Sequence, residues 1–548
     1  MTIAGTLNAT VQNNFVLPIL KTIFTFGCSL TQYDSLTCRG MIDYFVDLGA
    51  QQLFEMPLGP GNICQNYLRI CEIEDLRVLD ITQYQNQILK SKPQNVISDN
   101  FINEEYERIN LFDGSSSRPV IKMLHLADLH LDFKYMAGSA AMCNNIICCR
   151  EVNGFPDDSK NKAGIYGSYY CDAPKKLMYS MIEYINANIG PDFIVWTGDS
   201  TPHTEFEKIG FEEKQTYLTW LNDLFKTNMS SATMYPAPGN HDFSVSNMQD
   251  FTKAEPLLEY LQPEWKDWLD DQALEQFKQQ GYFAQNLKLK DGRIFENVVL
   301  ISLNTQSCYL FNFYLWAQRN DPGGQLDWLN KTLIEIEAKN QMAIIFGHVP
   351  IGNVDCNYGW SVRFKAIADR FQHIIRFSVY GHVHEEQHYI NRAVKSDKPV
   401  GVSYLTGSVT PYENINPSFR VFELDVETML PLRIQTHFMD ISKDEPKWEL
   451  RHQLPEFYQM EDLSPNSFEK LSNRMQNEEE LAVKYSQTMS LGAAHKYISK
   501  CDEKCRLALA CDTKTSLYFD SRDCQKESWF DLVGFVFYWI ANPWVNKK

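Results

Sequence analysis

The stretch Val120-Ile-Lys-Met-Leu-His-Leu-Ala-Asp-Leu-His-Leu-Asp132 decides the fold of this chain. Its first half is a mostly apolar run rich in strand-forming residues, which predicts a buried strand. In extended backbone, residues two apart point to the same side, so we expect the Asp128 carboxylate and the His130 imidazole to converge. A converging carboxylate and imidazole are a candidate metal-ligand pair. One Asp-x-His triplet is common by chance, and a strand that ends in polar loop residues would explain it equally well.

The same pattern recurs after other short apolar runs of the chain. These runs lead into Gly198-Asp199, Gly239-Asn240-His241-Asp242, Gly347-His348 and Gly381-His382-Val383-His384. In open α/β sheets, ligands bind outside the carboxyl ends of the strands, so we expect these polar side chains to gather along one edge. Independent surface loops would scatter their histidines instead. The repetition therefore predicts one polar site on an α/β fold.

In order and spacing, these motifs resemble those of the calcineurin-like metallophosphoesterases, and within them the acid sphingomyelinase family. The resemblance extends to Asp199-Ser-Thr-Pro-His203 and to three further segments, residues 143–150, 321–328 and 501–524. It covers roughly residues 120 to 524. The fold that it implies is a four-layer α-β-β-α sandwich.

The resemblance implies a site for two divalent metal ions. One ion would be held by Asp128, His130, Asp199 and His384, and the other by Asp199, Asn240, His348 and His382, with Asp199 as the bridge. This mixed nitrogen and oxygen ligand set suits zinc, although manganese or iron could occupy it. Paired ions of this kind activate a water as hydroxide for attack on phosphorus.

Two histidines near the motifs, His241 and His203, are not assigned to metal. We expect them to contact the phosphate and to supply the leaving-group acid. For His203, a histidine on a surface loop is the alternative. Tyr412 falls where the family shapes its headgroup pocket, and its ring could hold a choline ammonium by cation–π attraction.

The composition of the 548 residues limits the classes of function. A hydrophobic fraction of 44% and an aromatic fraction of 13% are typical of a well-cored globular protein. The formal net charge of −18 argues against a nucleic-acid partner, which would require a basic face. The resemblance implies that the partner is a sphingolipid at a membrane or vesicle surface, and we expect the protein to be a monomer.

The fourteen cysteines fall in local clusters without Cys-x-x-Cys pairs, so disulfides are a better interpretation than zinc ribbons. The resemblance implies the pairs Cys28–Cys38, Cys143–Cys148, Cys149–Cys171, Cys308–Cys356, Cys501–Cys505 and Cys511–Cys524. Disulfides and possible glycosylation sites at Asn8, Asn228 and Asn330 indicate a secreted or lysosomal glycoprotein. The first residues do not resemble a signal peptide, and we expect an incomplete or atypical N-terminus.

Five segments are expected along the chain. Residues 15–92 should be a helical, partial saposin-like domain, in which the partners of Cys64 and Cys71 stay open. A polar linker (93–119), the catalytic domain (120–440), a helical C-terminal subdomain (441–526) and an apolar aromatic tail (527–548) should follow. The tail is slightly short for a stable transmembrane span.

The sequence therefore predicts a metal-dependent phosphodiesterase that hydrolyses sphingomyelin to ceramide and phosphocholine. Two alternatives stay open. A sphingomyelinase-like enzyme would act on nucleotide-type phosphoesters, and a lipid-binding protein would carry a lapsed metal site. The saposin-like segment favours the lipid substrate, and the complete ligand set argues against a lapsed site.

Overall fold

Two six-stranded sheets form the centre of the structure, a computed structural model that describes residues 16–29, 38–40, 42–43, 46, 80–112, 118–204, 207, 209–318, 320–493 and 498–526. In spatial order, the first sheet contains β12 (Trp448–Leu454), β11 (Pro431–Met439), β10 (Ser418–Asp425), β1 (Val120–Leu126), β2 (Phe193–Trp196) and β3 (Thr233–Pro236). The second contains β4 (Phe283–Lys288), β5 (Ile294–Ser302), β6 (Met342–Phe346), β7 (Ile375–Tyr380), β9 (Pro399–Leu405) and β8 (Gln387–Arg392).

Each sheet has a parallel part that carries the predicted motifs. In the first sheet, β1, β2 and β3 run parallel, and β10 joins β1 antiparallel. In the second, β5, β6, β7 and β9 run parallel between the antiparallel edge strands β4 and β8. The carboxyl ends of β1, β2, β3, β6 and β7 are therefore available to build one site.

Helices cover the outer faces of both sheets. The helices of the described residues are α1 (Val16–Ser29), α2 (Ile81–Leu89), α3 (Phe101–Phe112), α4 (Lys175–Asn188), α5 (Phe211–Asn228), α6 (Pro256–Glu264), α7 (Asp271–Gln280), α8 (Gln325–Ala338), α9 (Tyr358–Arg370), α10 (Pro465–Asn477), α11 (Glu479–Met489), α12 (Glu503–Lys514) and α13 (Tyr518–Gln525).

Alternate residues of the central strands enter two different cores. Leu300 and Ile344 face the first sheet, where Phe377 of β7 stacks on Phe422 of β10 at 5.8 Å between ring centroids. Ile345, on the opposite face of β6, packs with the buried side of α8 and α9. Since α4 and α5 pack on the first sheet, the layers are helix, sheet, sheet and helix. The predicted α/β sandwich is confirmed.

Three segments differ from the sequence-based expectation. Residues 448–454, in the stretch expected to be helical, form β12, whose alternating sequence Trp-Glu-Leu-Arg-His-Gln-Leu is typical of a strand. The helix expected over Ser467–Tyr485 is divided at Glu478, which has φ −110° and ψ 102°. Residues 101–112, within the expected linker, form α3, because Ile102, Tyr106 and Ile109 recur at helical spacing and are buried.

Six disulfides lie in the described part of the chain, and all six are pairs that the resemblance implies. They are Cys28–Cys38, Cys143–Cys148, Cys149–Cys171, Cys308–Cys356, Cys501–Cys505 and Cys511–Cys524. Of the expected saposin-like segment, the structure describes chiefly α1, the Cys28–Cys38 bridge and α2. Cys64, Cys71, Asn8 and the apolar tail lie outside the described residues.

A buried carboxylate connects the two sheets. Glu386, directly before β8, pairs with Arg420 of β10, accepts from Thr436 of β11 at 2.7 Å, and lies 2.8 Å from Nε2 of His452 in β12. Burial alone would raise the pKa of Glu386, but Arg420 and His452 hold this pKa well below its usual range. The stabilisation is therefore present above the unfolded-state pKa of about 4.3 and is lost only as the pH falls through the lower folded-state value.

Replacing this carboxylate should destabilise the fold. We expect Glu386→Ala to lower the free energy of unfolding by about 3–5 kcal/mol, because Arg420 would remain buried without its partner. Denaturant unfolding with the disulfides intact measures the change. Glu461→Ala removes a carboxylate from a surface pair with Lys470 and should cost at most about 1 kcal/mol. Equal effects of the two substitutions would contradict the role of Glu386.

Candidate metal centre

The predicted metal ligands converge at the carboxyl ends of strands from both sheets. Two clusters have ligand atoms within 4.8 Å of one another, Asp128 with His130 and His384, and Asp199 with His348 and His382. Asn240 joins the second cluster, because its Oδ1 lies 3.0 Å from Nδ1 of His382. The ligands that the resemblance assigns to each ion therefore lie together.

The backbone brings Asp128 and His130 together in a way that the sequence did not predict. Strand β1 ends at Leu126, and the expectation that extended backbone aligns the two side chains is wrong. Asp128 and His130 lie beyond the end of the strand and have φ values of 53° and 37°, outside the extended region. Left-handed backbone also occurs at Asp199, His382 and His384, with φ values of 52°, 69° and 60°. Such strain in non-glycine residues is typical of functional sites.

The glycines before the ligands allow this close approach. A Cβ on Gly239 would lie 2.1 Å from Oδ1 of Asp199, and a Cβ on Gly198 would lie 2.2 Å from the Gly239 nitrogen. Gly198 also has φ 85°, which a side chain would disfavour. The loops after β2 and β3 therefore touch through backbone atoms.

Main-chain carbonyls orient two of the imidazoles. Nδ1 of His130 lies 2.8 Å from the Thr201 carbonyl, and Nδ1 of His348 lies 2.7 Å from the Thr197 carbonyl. Because a carbonyl only accepts, Nδ1 must carry the proton, and the Nε2 lone pair is left for a ligand. These two Nε2 atoms are buried, make no hydrogen bond to the described residues, and lie 3.4 Å and 3.0 Å from Oδ2 of Asp199.

The electrostatics of this arrangement also fit a cation. Burial opposes charge on both imidazoles, but Asp199 and Asp128 outweigh it and raise the pKa of His130 to about 10 and that of His348 to about 9. Burial would likewise raise the pKa of Asp199, yet His348 and His241 hold this pKa well below its usual range. The site strongly favours added positive charge, which a divalent ion supplies.

Asp242 supports the bridging ligand, although the sequence analysis gave it no role. Its carboxylate accepts the backbone N–H groups of Asp199 (3.1 Å), Ser200 (2.8 Å) and Gly239 (2.9 Å). One buried carboxylate therefore fixes the loops after β2 and β3 together. The motif Gly-Asn-His-Asp contained the signal, because a short acidic side chain often bonds to nearby backbone N–H groups.

His203 is buried beside the metal ligands and does not lie on an exposed loop. Its ring stacks on that of His130 with 3.9 Å between centroids. Asp172 accepts from the His203 backbone N–H, and its other oxygen lies 2.8 Å from Nδ1 of His203. Sequence reasoning missed Asp172, since no spacing links it to the motifs; its position directly after Cys171 was the only signal.

His241 and Tyr412 complete this side of the site. The rings of both lie 4.5 Å from that of His203, and the His241 N–H donates to Oδ1 of Asp199 at 2.8 Å. Nζ of Lys214 and the Thr201 hydroxyl each hold the His241 carbonyl at 2.6 Å. His130, His203 and His241 also form a third group with ligand atoms within 4.8 Å of one another. This geometry leaves both a metal role and a substrate role open to His241.

Two protein families match most of the chain from β1 onward. The family described as Calcineurin-like phosphoesterase matches residues 121–386, and Acid sphingomyelin phosphodiesterase C-terminal region matches residues 398–529. The chain belongs to the acid sphingomyelinase family of calcineurin-like phosphoesterases. The predicted membership of a metal-dependent phosphoesterase family is confirmed, and the His and Asp groups support divalent metal binding.

Several curated relatives resemble most of the chain. Sphingomyelin phosphodiesterase B of Dictyostelium discoideum is 29% identical, with 75% of this chain and 66% of that protein aligned. Sphingomyelin phosphodiesterase A of the same organism is 26% identical over 91% of this chain and 85% of its own length. Acid sphingomyelinase-like phosphodiesterase 3b of Homo sapiens is 29% identical over 71% and 87%. Among the described residues, no helix has the length and apolar character to cross a membrane.

Removal of the shared carboxylate should remove metal. We expect Asp199→Ala to lower divalent-metal affinity by more than about 100-fold, because even outer partners of metal ligands contribute 10–100-fold. Chelator competition on the purified protein measures this affinity. Asp192→Ala is the control, since Asp192 caps the opposite end of β2 by accepting the Lys122 N–H. Unchanged metal affinity in Asp199→Ala would contradict the proposed bridge.

Proposed function

We propose that this protein hydrolyses sphingomyelin to ceramide and phosphocholine. The observation that carries the proposal is the pair of ligand clusters around Asp199, bordered by His203, His241 and Tyr412. The support from the comparisons is the similarity to proteins named sphingomyelin phosphodiesterases. The substrate would be presented at a membrane or vesicle surface.

Two zinc ions are the proposed occupants of the site. Asp128, His130, Asp199 and His384 would hold one, and Asp199, Asn240, His348 and His382 the other. When bound, such ions lower the pKa of water, stabilise charge on phosphate oxygens and orient the ester. Imidazole, carboxylate and amide ligands suit zinc, and the Nε2 atoms of His130 and His348 already face Asp199.

His241 and His203 are the proposed contacts to the phosphodiester and the source of the leaving-group proton. Asp172 lies against Nδ1 of His203, which leaves Nε2 to face the substrate side. Contacts from the His241 backbone to Asp199, Thr201 and Lys214 fix the loop that carries this imidazole. A positioned histidine can deliver a proton to the departing alkoxide of ceramide.

Tyr412 is the proposed headgroup contact. Its ring is buried beside His203 and packs with Ile146 and Ile147. The aromatic face therefore lies near the place where the phosphate would bind, and a choline ammonium could rest against it.

The extent of similarity favours the lipid over a nucleotide-type substrate. The alignment with sphingomyelin phosphodiesterase A covers 91% of the chain. The unaligned part is shorter than the 119 residues before β1, so the alignment with this relative includes at least part of the chain before that strand. We therefore propose that the N-terminal helical segment presents lipid to the site.

The disulfides and the family together support a secreted or lysosomal location. Six bridges occur in the described residues, and they persist in oxidising compartments. A monomer is the proposed state in solution.

A parallel substrate assay tests the function. Purified, glycosylated protein at mildly acidic pH is expected to hydrolyse sphingomyelin in vesicles and to lose this turnover when residues 28–71 are deleted. A nucleotide phosphodiester serves as the second substrate for both proteins. If only the nucleotide is hydrolysed, the protein belongs with the sphingomyelinase-like phosphodiesterases. If neither substrate is hydrolysed and the purified protein contains no metal, the lipid-binding alternative is favoured.

Loss of His241 should slow chemistry and keep the metal. We expect His241→Ala to lower kcat by about 10²–10⁴, as loss of a general acid does. Metal analysis of the same sample distinguishes the two roles, because loss of an ion would make His241 a ligand. His373→Ala is the matched control, since His373 faces Glu337 at 2.9 Å on α8 and has no predicted role in the site.

A further inference from the structure

The imidazole of His382 is oriented differently from those of His130 and His348. The outer nitrogens of His130 and His348 meet main-chain carbonyls. Nε2 of His382 instead faces Oδ2 of Asp355 at 3.4 Å, while its Nδ1 faces Oδ1 of Asn240 at 3.0 Å. His382 therefore presents Nδ1 to the centre and Nε2 to a carboxylate.

Asp355 is held in place by two loops that a disulfide joins. Cys308–Cys356 connects the loop after β5 with the loop after β6. The Leu310 N–H donates to the Asp355 carbonyl at 2.8 Å, and the Asn357 N–H donates to the Cys308 carbonyl at 2.6 Å. These contacts fix the backbone on both sides of the carboxylate.

The rings of Tyr309 and His348 both pack against His382 in T-shaped contacts, each with 5.2 Å between centroids. The His382 N–H also donates to both oxygens of Asp128, at 2.9 Å and 3.1 Å. Because a carboxylate only accepts, Asp355 can receive a hydrogen bond from His382 only when Nε2 carries a proton, and a metal ion can bind Nδ1 only in the tautomer that leaves its lone pair free.

We propose that Asp355 is a positioning residue of the metal centre. Its carboxylate keeps the proton of His382 on Nε2, so that the Nδ1 lone pair is directed at the position shared by Asn240 and Asp199. The inference rests on the proposed function insofar as His382 must be a ligand of the second ion.

Metal affinity tests this role independently of turnover. Asp355→Ala should lower the affinity for one of the two ions by about 10–100-fold and leave the affinity for the other unchanged. Asp355→Asn should restore part of the affinity, because its amide oxygen can still accept from Nε2–H. Chelator competition with Zn²⁺ and the visible spectrum of the Co²⁺-loaded protein provide the measurements. Asp397→Ala is the control, because Asp397 is an exposed carboxylate beside Arg392.

The possible outcomes separate this inference from the proposed function. Wild-type affinity for both ions in Asp355→Ala would overturn the positioning role and leave the proposed function intact. Equal weakening of both ions with a lowered melting temperature would also overturn it, as a general structural effect. A wild-type protein that binds neither ion would overturn both proposals. Selective weakening of one ion, with partial rescue by Asp355→Asn, would support the inference.

Discussion

The buried negative charge of Asp199 is the constraint on which the site depends. A carboxylate with about 1% exposure is costly unless opposite charge and hydrogen bonds compensate for it. Oδ1 accepts the His241 N–H, and Oδ2 faces the Nε2 atoms of His130 and His348. The short loop 197–201 supplies this carboxylate and also the carbonyls of Thr197 and Thr201 that orient those imidazoles. Five consecutive residues after β2 therefore set both the charge of the centre and the direction of its ligands.

The sequence predicted this convergence because strand ends in an α/β sheet meet at one edge. That rule groups the ligands that follow strands of the same sheet, and the packing of the two sheets brings all seven candidate ligands together. This rule does not predict the local backbone geometry at the ligands. Asp128 and His130 converge through left-handed backbone, in which their N–H groups donate to the carbonyls of Gly198 and Asp199. Alternation within a strand predicts side-chain direction only while the backbone stays extended.

Residues that orient the histidines were harder to predict because they come from distant loops. Asp172 and Asp355 reach His203 and His382 only through the tertiary fold, and neither belongs to a motif. The strand β12 and the helix α3 were missed for a related reason. Their sequences contain the alternation of a strand and the spacing of a helix, but these short patterns lie among polar residues that suggested a helix and a linker, respectively. Local propensity decides such segments weakly, and tertiary packing overrides it.

The histidines of the site are oriented by two kinds of group, main-chain carbonyls beside the first sheet and carboxylates in disulfide-tied loops. The acceptors of His130 and His348 belong to the backbone beside β2, so they are as rigid as the first sheet. Asp172 and Asp355 instead lie next to Cys171 and Cys356, in long loops with little regular structure. Without a crosslink, ordering such loops would cost conformational entropy for every residue fixed, and the disulfides remove part of that cost from the unfolded chain. The cysteines that indicated an oxidising compartment therefore also explain how two irregular loops can hold carboxylates within reach of the imidazoles.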